Sequence, residues 1–241
     1  CSYSALDNLD KVADVVIETF GCGLPSLYLA KMTSNTRWVN LEYLSAEQWV
    51  KDFHAKPSQH PALALTKHYF FPGFHEGTGG LIREINLIKQ RNAFLASHTA
   101  QQNYWQRLLN TNIHDSLKIS LFCYPQASIG DLLKSLSTIN QNISILMPSS
   151  STIDTFRDIL EDFKLNNKTL DGKSGIDIYP LPFLSQDDYD QLLWSCDLNF
   201  VRGEDSWIRA LWAGKPFVWQ PYIQTDNTHI TKLNAFLDIY T

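Results

Sequence analysis

The stretch from Phe200 to Trp219 holds the residues best placed to do chemistry. A strand-like run ends at Val201, a polar turn Arg202-Gly203-Glu204-Asp205 follows, and Ser206 opens a helix packing through Ile208, Leu211 and Trp212. Gly214 then supplies the C′ position, and Pro216 stops the helix from continuing. Open α/β sheets hold their ligands at the carboxyl ends of strands, which is where this turn lies. The N–H groups of a helix start, backed by the macrodipole, favour an anion. Gly203 lets backbone approach such a group, Ser206 adds a hydroxyl, and the Arg202 guanidinium forks onto two phosphate oxygens. Glu204 and Asp205 would repel a diphosphate, so sugar or ribose hydroxyls, or a cation, are their natural partners. The same residues also fit a plain helix start, with Asp205 or Ser206 as N-cap and Glu204 complementing the dipole. The two roles are compatible.

Strand-like and helix-like segments alternate along the whole chain, which implies an α/β fold with mostly parallel pairing. Val15-Val16-Ile17 reads as a short buried strand and Trp38-Val39-Asn40-Leu41 as another. Ser45-Ala46-Glu47-Gln48 has the form of a capping box opening a helix through Trp49 and Val50. Leu81 to Leu109 is mainly helical with a break at Ser97-His98-Thr99, and Asn110-Thr111-Asn112 is the expected interdomain joint. Beyond it, strands are expected at Lys118–Tyr124, Ile143–Met147, Ile176–Tyr179, Leu198–Val201 and Phe217–Trp219. Helices between them carry Ile153, Phe156, Leu160 and Phe163 on one face, then Tyr189, Leu192 and Leu193 on another, after a start at Ser185-Gln186.

Composition narrows the functional classes. A hydrophobic share of 44% against a charged share of 19% supports packed cores and excludes a disordered chain. A net charge of -5 without a Lys/Arg cluster argues against a duplex nucleic-acid surface. A run of ~18 apolar residues, as a membrane span needs, does not occur. Cys1, Cys22, Cys123 and Cys196 form no C-x-x-C pair and are expected to be mostly buried free thiols, as in a cytoplasmic protein. The first residues lack both a Met and a signal-peptide pattern, so the sequence is expected to start inside a longer protein.

The run Phe200-Val201-Arg202-Gly203-Glu204-Asp205-Ser206, continued by Ala213-Gly214-Lys215-Pro216-Phe217-Val218-Trp219, closely resembles the signature of the elongation factor P arginine rhamnosyltransferases, the EarP family. Further matches in order are Val15–Cys22, Asn40–Glu47, Phe70–Phe74, Thr78–Leu81, Leu121–Tyr124 and Pro182–Asp188, so the resemblance covers nearly the whole chain. It implies a bacterial GT-B glycosyltransferase with two Rossmann-like domains facing a cleft. Residues 1–112 would be the acceptor-side domain, lacking its N-terminal part, and 113–241 the nucleotide-sugar domain. The implied donor is dTDP-β-L-rhamnose, and the implied partner is translation elongation factor P, glycosylated on an arginine with inversion. No cofactor, metal, direct nucleic acid or membrane is implied.

Carried over residue by residue, the resemblance implies that Phe183 stacks on the thymine and Gln186 meets base edges. Phe122, Tyr124 and Tyr189 line the donor site, Tyr189 standing where the family pattern has Phe. Arg202, Glu204, Asp205 and Ser206 match the phosphate and sugar contacts, with Glu204 also the catalytic candidate. Phe122 and Tyr189 equally suit plain core positions on their strand and helix. Asp188-Tyr189-Asp190 has the form of a D-x-D metal motif but reads as acids in the first turn of a helix. The histidines, His68 and His75 among them, lack ligand spacing. The resemblance implies a second essential acid in an Asp-rich turn that would precede Cys1 and has no counterpart in this sequence. Alternatives of other classes are a non-catalytic nucleotide-sugar-binding protein and a GT-B enzyme with a different acceptor. For a protein acceptor, the glycine-rich loop from Pro72 to Gly80, mobile by composition, is the expected docking loop.

Overall fold

The computed structural model describes residues 11–111, 113, 115–148, 156–163 and 175–240, so Cys1, Asn112 and Ile153 lie outside the described residues. The chain packs into two compact units, Cys1–Ile82 with Ile223–Thr241, and Arg83–Tyr222.

The first unit carries β1 (Val15–Thr19), α1 (Ser26–Leu29), β2 (Arg37–Leu41), α2 (Val50–Phe53), β3 (Pro57–Gln59) and β4 (Thr66–Phe70). The sheet order is β1-β2-β4-β3, parallel except for β3, which runs against β4. Its core gathers Val16, Met32, Trp38 and Leu65. The buried Glu18 carboxylate organises the loop after β1 by accepting from Gly23 N–H (2.8 Å) and Trp38 Nε1 (3.0 Å), with Lys67 Nζ at 3.5 Å.

Four local expectations change here. β1 is buried on one side only, because Val15 and Ile17 point to a face of this edge strand that nothing covers among the described residues. Cys22 is exposed, since the loop carries it off the end of β1. No capping box forms, because Ser45 Oγ is used locally, donating to Glu47 Oε2 and accepting from Glu47 N–H, both at 3.0 Å, and the helix starts only at Val50. The Pro72–Gly80 loop is closely packed. A side chain at Gly79 would run into the Phe70 ring at 2.4 Å, and His75 reaches the Ala46 carbonyl at 2.7 Å. Gly73 and Gly79 answer close approach, and Gly77 and Gly80 answer positive φ (86° and 71°), rather than mobility.

The second unit begins with α3 (Leu87–Ala96) and α4 (His98–Leu109), broken where the sequence indicates: Ser97 ends one helix and caps the next, its hydroxyl accepting from Ala100 N–H (3.2 Å). There follow β5 (Leu117–Leu121), α5 (Ile129–Leu136), β6 (Ile143–Pro148), α6 (156–163), β7 (Ile176–Leu181), α7 (Gln186–Ser195), β8 (Leu198–Arg202), α8 (Asp205–Ala213) and β9 (Phe217–Gln220). The five strands are all parallel in the order β7-β6-β5-β8-β9. Strand order reverses between β5 and β8, so the carboxyl ends of those two strands form the switch-point crevice. β6 is buried along its whole length, as a strand covered on both faces must be. Ile119, Leu121, Leu133, Ile145, Phe156 and Leu160 form the centre of the core.

The unit boundary falls at Arg83, not at residues 110–112, because α3 and α4 pack with each other and α3 with α7 and α8. The last helix, α9 (Thr228–Tyr240), belongs to the first unit rather than to the second. α8 buries Trp207, Ile208, Ala210 and Ala213, while Leu211 and Trp212 stay half-buried, so its packing face is rotated from the one its apolar pattern indicates. Gly214 takes the left-handed C-cap position (φ 67°), and Arg91 Nη1 donates to the Trp212 carbonyl (2.7 Å), satisfying a helix-end acceptor.

Candidate functional site

At the carboxyl ends of β5 and β8 the second unit holds a cavity of about 580 Å³. It is lined by Phe122, Tyr124, Pro148, Phe183, Leu184, Ser185, Gln186, Tyr189, Arg202, Gly203, Glu204, Asp205, Ser206 and Arg209. All nine residues expected from the sequence to meet a donor therefore converge on one space.

β5 ends at Leu121, one residue earlier than a ladder through Phe122 would require, and this frees Phe122 and Tyr124 to turn into the cavity. Two bonds from backbone N–H groups fix that exit: Phe122 N–H donates to the Phe200 carbonyl (3.0 Å), and Tyr124 N–H to the side-chain Oε1 of Gln220 (2.7 Å). Both rings face the end of β8. The Arg202 guanidinium lies over them, its Cζ 4.1 Å from the Phe122 ring centre and 4.9 Å from that of Tyr124. Cation–π attraction on both rings, plus Nη1 donating to the Cys123 carbonyl (3.1 Å), holds the guanidinium in place. Burial pushes the Cys123 thiol up to about 11, so it stays a neutral packing group.

The turn after β8 is tied internally. Arg202 N–H donates to Ser206 Oγ (3.0 Å), and that hydroxyl donates in turn to the Arg202 carbonyl. Ser206 is thus committed to shaping the turn. Gly203 sits at φ +63°, where a side chain is strained, and a Cβ there would come within 3.2 Å of Tyr124 Oη. The Gly203 carbonyl accepts from Trp219 Nε1 (2.7 Å), and Trp219 stacks on Trp207 at 3.8 Å. Glu204, rather than Asp205 or Ser206, occupies the N-cap position of α8, and it makes no side-chain cap hydrogen bond. The start of α8 therefore faces the cavity without a side-chain cap.

The opposite wall comes from the β7–α7 loop and the first turn of α7. Ser185 caps that helix, accepting from Asp188 N–H (3.2 Å) and donating to Asp188 Oδ2 (2.9 Å). Phe183 is 91% exposed, a full aromatic face held in water at the cavity mouth. Gln186 follows at the first helical position, exposed as well. Tyr189 is half-buried against Phe122 in an edge-on contact (6.0 Å, 68°). Its hydroxyl lies shut in beside Ser206 without a well-formed hydrogen bond, and burial raises its pKa. Tyr189 is thus both a packing residue and part of the lining.

The two acids of the D-x-D pattern point elsewhere. Asp188 pairs with Arg107 (2.6 Å), which holds its carboxyl below the ordinary value. Asp190 is buried, where a solvated first-turn acid was expected, and takes a two-point bond from Arg209. Among the described residues no group of three or more His, Cys, Asp and Glu could hold a metal ion. His54 and His75 serve backbone groups: His54 Nδ1 accepts from Phe71 N–H (3.1 Å), and His75 bonds the Ala46 carbonyl. Arg209 and Ser185 are cavity residues that motif reading passes over. An arginine amid the buried Trp207, Ile208 and Ala210 is the signal for the first, since a buried charge needs a partner.

This arrangement has a stacking face and an arginine-bearing helix start sharing one space of nucleotide size. The profile of the family described as "Elongation-Factor P (EF-P) rhamnosyltransferase EarP" matches residues 2–241. The chain belongs to the EarP family. A relative from Pseudomonas putida named protein-arginine rhamnosyltransferase is 43% identical over 231 residues, covering 95% of this chain and 61% of the relative. One of the same name from Shewanella oneidensis is 36% identical over 249 residues, 94% of this chain and 60% of that one. The chain thus spans about three-fifths of the length of these relatives. The solved structure described as "Structural basis for EarP-mediated arginine glycosylation of translation elongation factor EF-P" is 28% identical with a TM-score of 0.57, over 85% of this chain and 77% of that one. The α/β units of this EarP-family chain, parallel except for β3, are of the GT-B class. No helix among the described residues is long and apolar enough to cross a membrane.

Proposed function

We propose that the cavity binds dTDP-β-L-rhamnose and that the protein moves the rhamnose, with inversion, to an arginine of translation elongation factor P in the cytoplasm. The observation that carries this reading is the exposed Phe183 ring sharing one cavity with Arg202 and the uncapped start of α8. A thymine has a flat, polarisable face for Phe183 to stack on, and Gln186 can satisfy its edge. A diphosphate then reaches the Arg202 fork and the N–H groups of α8. The remaining acids, Glu204 and Asp205, accept from sugar hydroxyls. The names of the relatives support the acceptor class.

In this reaction a guanidinium nitrogen bonds to the anomeric carbon from the face opposite the diphosphate. The bond from that carbon to the phosphate oxygen breaks, thymidine diphosphate leaves, and the nitrogen gives up a proton to a base. Arg202 and the helix start stabilise charge gathering on the leaving oxygens, a task that elsewhere falls to a metal ion. No cofactor or metal is therefore assigned. An arginine stays protonated at neutral pH and must be oriented by carboxylates. Glu204 is the residue of this chain assigned that role.

The test is mass spectrometry of elongation factor P after incubation with the complete protein and candidate nucleotide sugars. A deoxyhexose increment on one arginine, only with dTDP-rhamnose, is the expected result. Tight thymidine diphosphate binding without transfer would make the protein a nucleotide-sugar sensor, and transfer to another molecule would change the acceptor.

A further inference from the structure

The two walls of the cavity come from successive β-α units, and a nucleoside diphosphate bridging them demands a fixed distance between them. Phe183, Gln186 and Tyr189 stand at the start of α7, while Arg202 to Ser206 stand at the start of α8. Only α7 and β8 connect these ends covalently. Asp190 lies one turn beyond Gln186 on α7, and Arg209 one turn beyond Asp205 on α8. The two meet at the edge of the cavity, where Arg209 is part of the lining. Arg209 Nε donates to Asp190 Oδ1 (2.7 Å) and Nη2 to Asp190 Oδ2, a two-point contact that fixes angle as well as distance. Nη1 reaches Glu84 Oε2 (2.6 Å), on the segment ahead of α3.

Both members of the pair are buried, Asp190 at 2% and Arg209 at 8% exposure. Burial raises the Asp190 carboxyl, against the pull of the guanidinium. Such a pair adds little net stability over a well-packed apolar pair of similar volume, and its best-attested use is to fix register. Its donors face two carboxylates, so Arg209 differs from Arg202, whose guanidinium rests on two rings beside the open space.

We infer that the Arg209–Asp190 pair, steadied by Glu84, is a positioning device that sets the spacing between the base wall and the anion turn. This rests on the donor-site reading above. Two half-ligands on a rigid frame bind with an advantage that neither half has alone, and loosening the frame removes that advantage.

The test is the double variant Arg209→Met/Asp190→Leu, which removes both charges so that neither is left buried and unpaired. Calorimetry or NMR titration of the complete protein with thymidine, inorganic pyrophosphate and thymidine diphosphate separates the halves from the whole. Expected are fragment affinities within about twofold of wild type and thymidine diphosphate binding weakened by about tenfold or more. Unchanged diphosphate binding by a folded variant overturns the positioning role. Pyrophosphate or thymidine affinity falling by the same factor as the whole also overturns it, because the pair would then be a ligand or a mere pillar of one wall. Should the double variant not fold, Arg209→Lys keeps the charge but loses the fork, and the same pattern is read at smaller amplitude. Absence of thymidine diphosphate binding by wild type would overturn the donor-site reading, and this inference with it.

Discussion

Replacing Arg202 by alanine is the perturbation whose size the structure defines best. The side chain stands 4.1 Å over Phe122 and 4.9 Å over Tyr124, with one N–H on the Cys123 carbonyl. A guanidinium carries five N–H donors, so enough remain for two phosphate oxygens. Hydrogen bonds to a charged group are worth about 1.5–3 kcal/mol. The two rings hold the side chain in place before ligand arrives, so little of that gain goes to ordering it. At about 1.4 kcal/mol per decade, the Kd for thymidine diphosphate should rise by roughly 10- to 100-fold. Isothermal titration calorimetry of the complete protein reads this directly. Loss of the ring contacts costs the fold about 0.5–1 kcal/mol, and a thermal melt checks that the variant remains folded. Arg202→Lys keeps charge without the fork and should recover only part of the affinity. A Kd within about twofold of wild type would refute the reasoning, because a guanidinium aimed at a diphosphate cannot be so cheaply lost.

Three further outcomes are expected. Phe183→Ala should leave stability unchanged within about 0.5 kcal/mol, since the ring is 91% exposed, yet weaken thymidine diphosphate binding by about 1–3 kcal/mol; a large drop in Tm with intact binding would make the ring a packing residue. Glu204→Gln should cut kcat far more than donor affinity, as steady-state kinetics beside calorimetry would show, and equal losses would leave Glu204 a binding residue only. For Asp188→Asn the prediction is a pH dependence. The Arg107 hydrogen bond holds the Asp188 carboxyl below its ordinary 3.8, so its stabilisation is full above that value and lost as pH falls through the lower folded pKa. Denaturant curves of wild type and variant should differ at neutral pH and converge once the pH has fallen well below the ordinary carboxylate range, and a gap that persists in acid would contradict the ion pair.

Much of the second unit could be read from its sequence because local signals and tertiary demand agree there. Five apolar runs became five parallel strands, Ser185 capped α7 as its type suggests, and Ser97 divided α3 from α4. The convergence of Phe122 and Tyr124 with Arg202, Glu204, Asp205 and Ser206 follows from the rule that strands β5 and β8 deliver their ends to one crevice. Phe183, Gln186 and Tyr189, carried by the β7–α7 segment, were expected there only from the family resemblance. Elsewhere particular side-chain contacts, some near in sequence and some far, decided the outcome. Ser45-Ala46-Glu47-Gln48 satisfies a capping pattern, but the Ser45 hydroxyl found a nearer partner in Glu47. Glycine content suggested mobility for Pro72–Gly80, whereas the Phe70 ring explains why Gly79 bears no side chain. Asp190 looked like a surface acid because its partner lies 19 residues away on another helix. Helix α9, which joins the first unit, could not be assigned to it by any local pattern.

The most direct measurement is a crystal structure of the complete protein soaked with thymidine diphosphate. Thymine stacked on Phe183, with phosphate oxygens within hydrogen-bond reach of the Arg202 guanidinium and the first N–H groups of α8, is the result this account requires. Nucleotide density anywhere else, with Arg202 still resting on Phe122 and Tyr124 beside an untouched helix start, would contradict it.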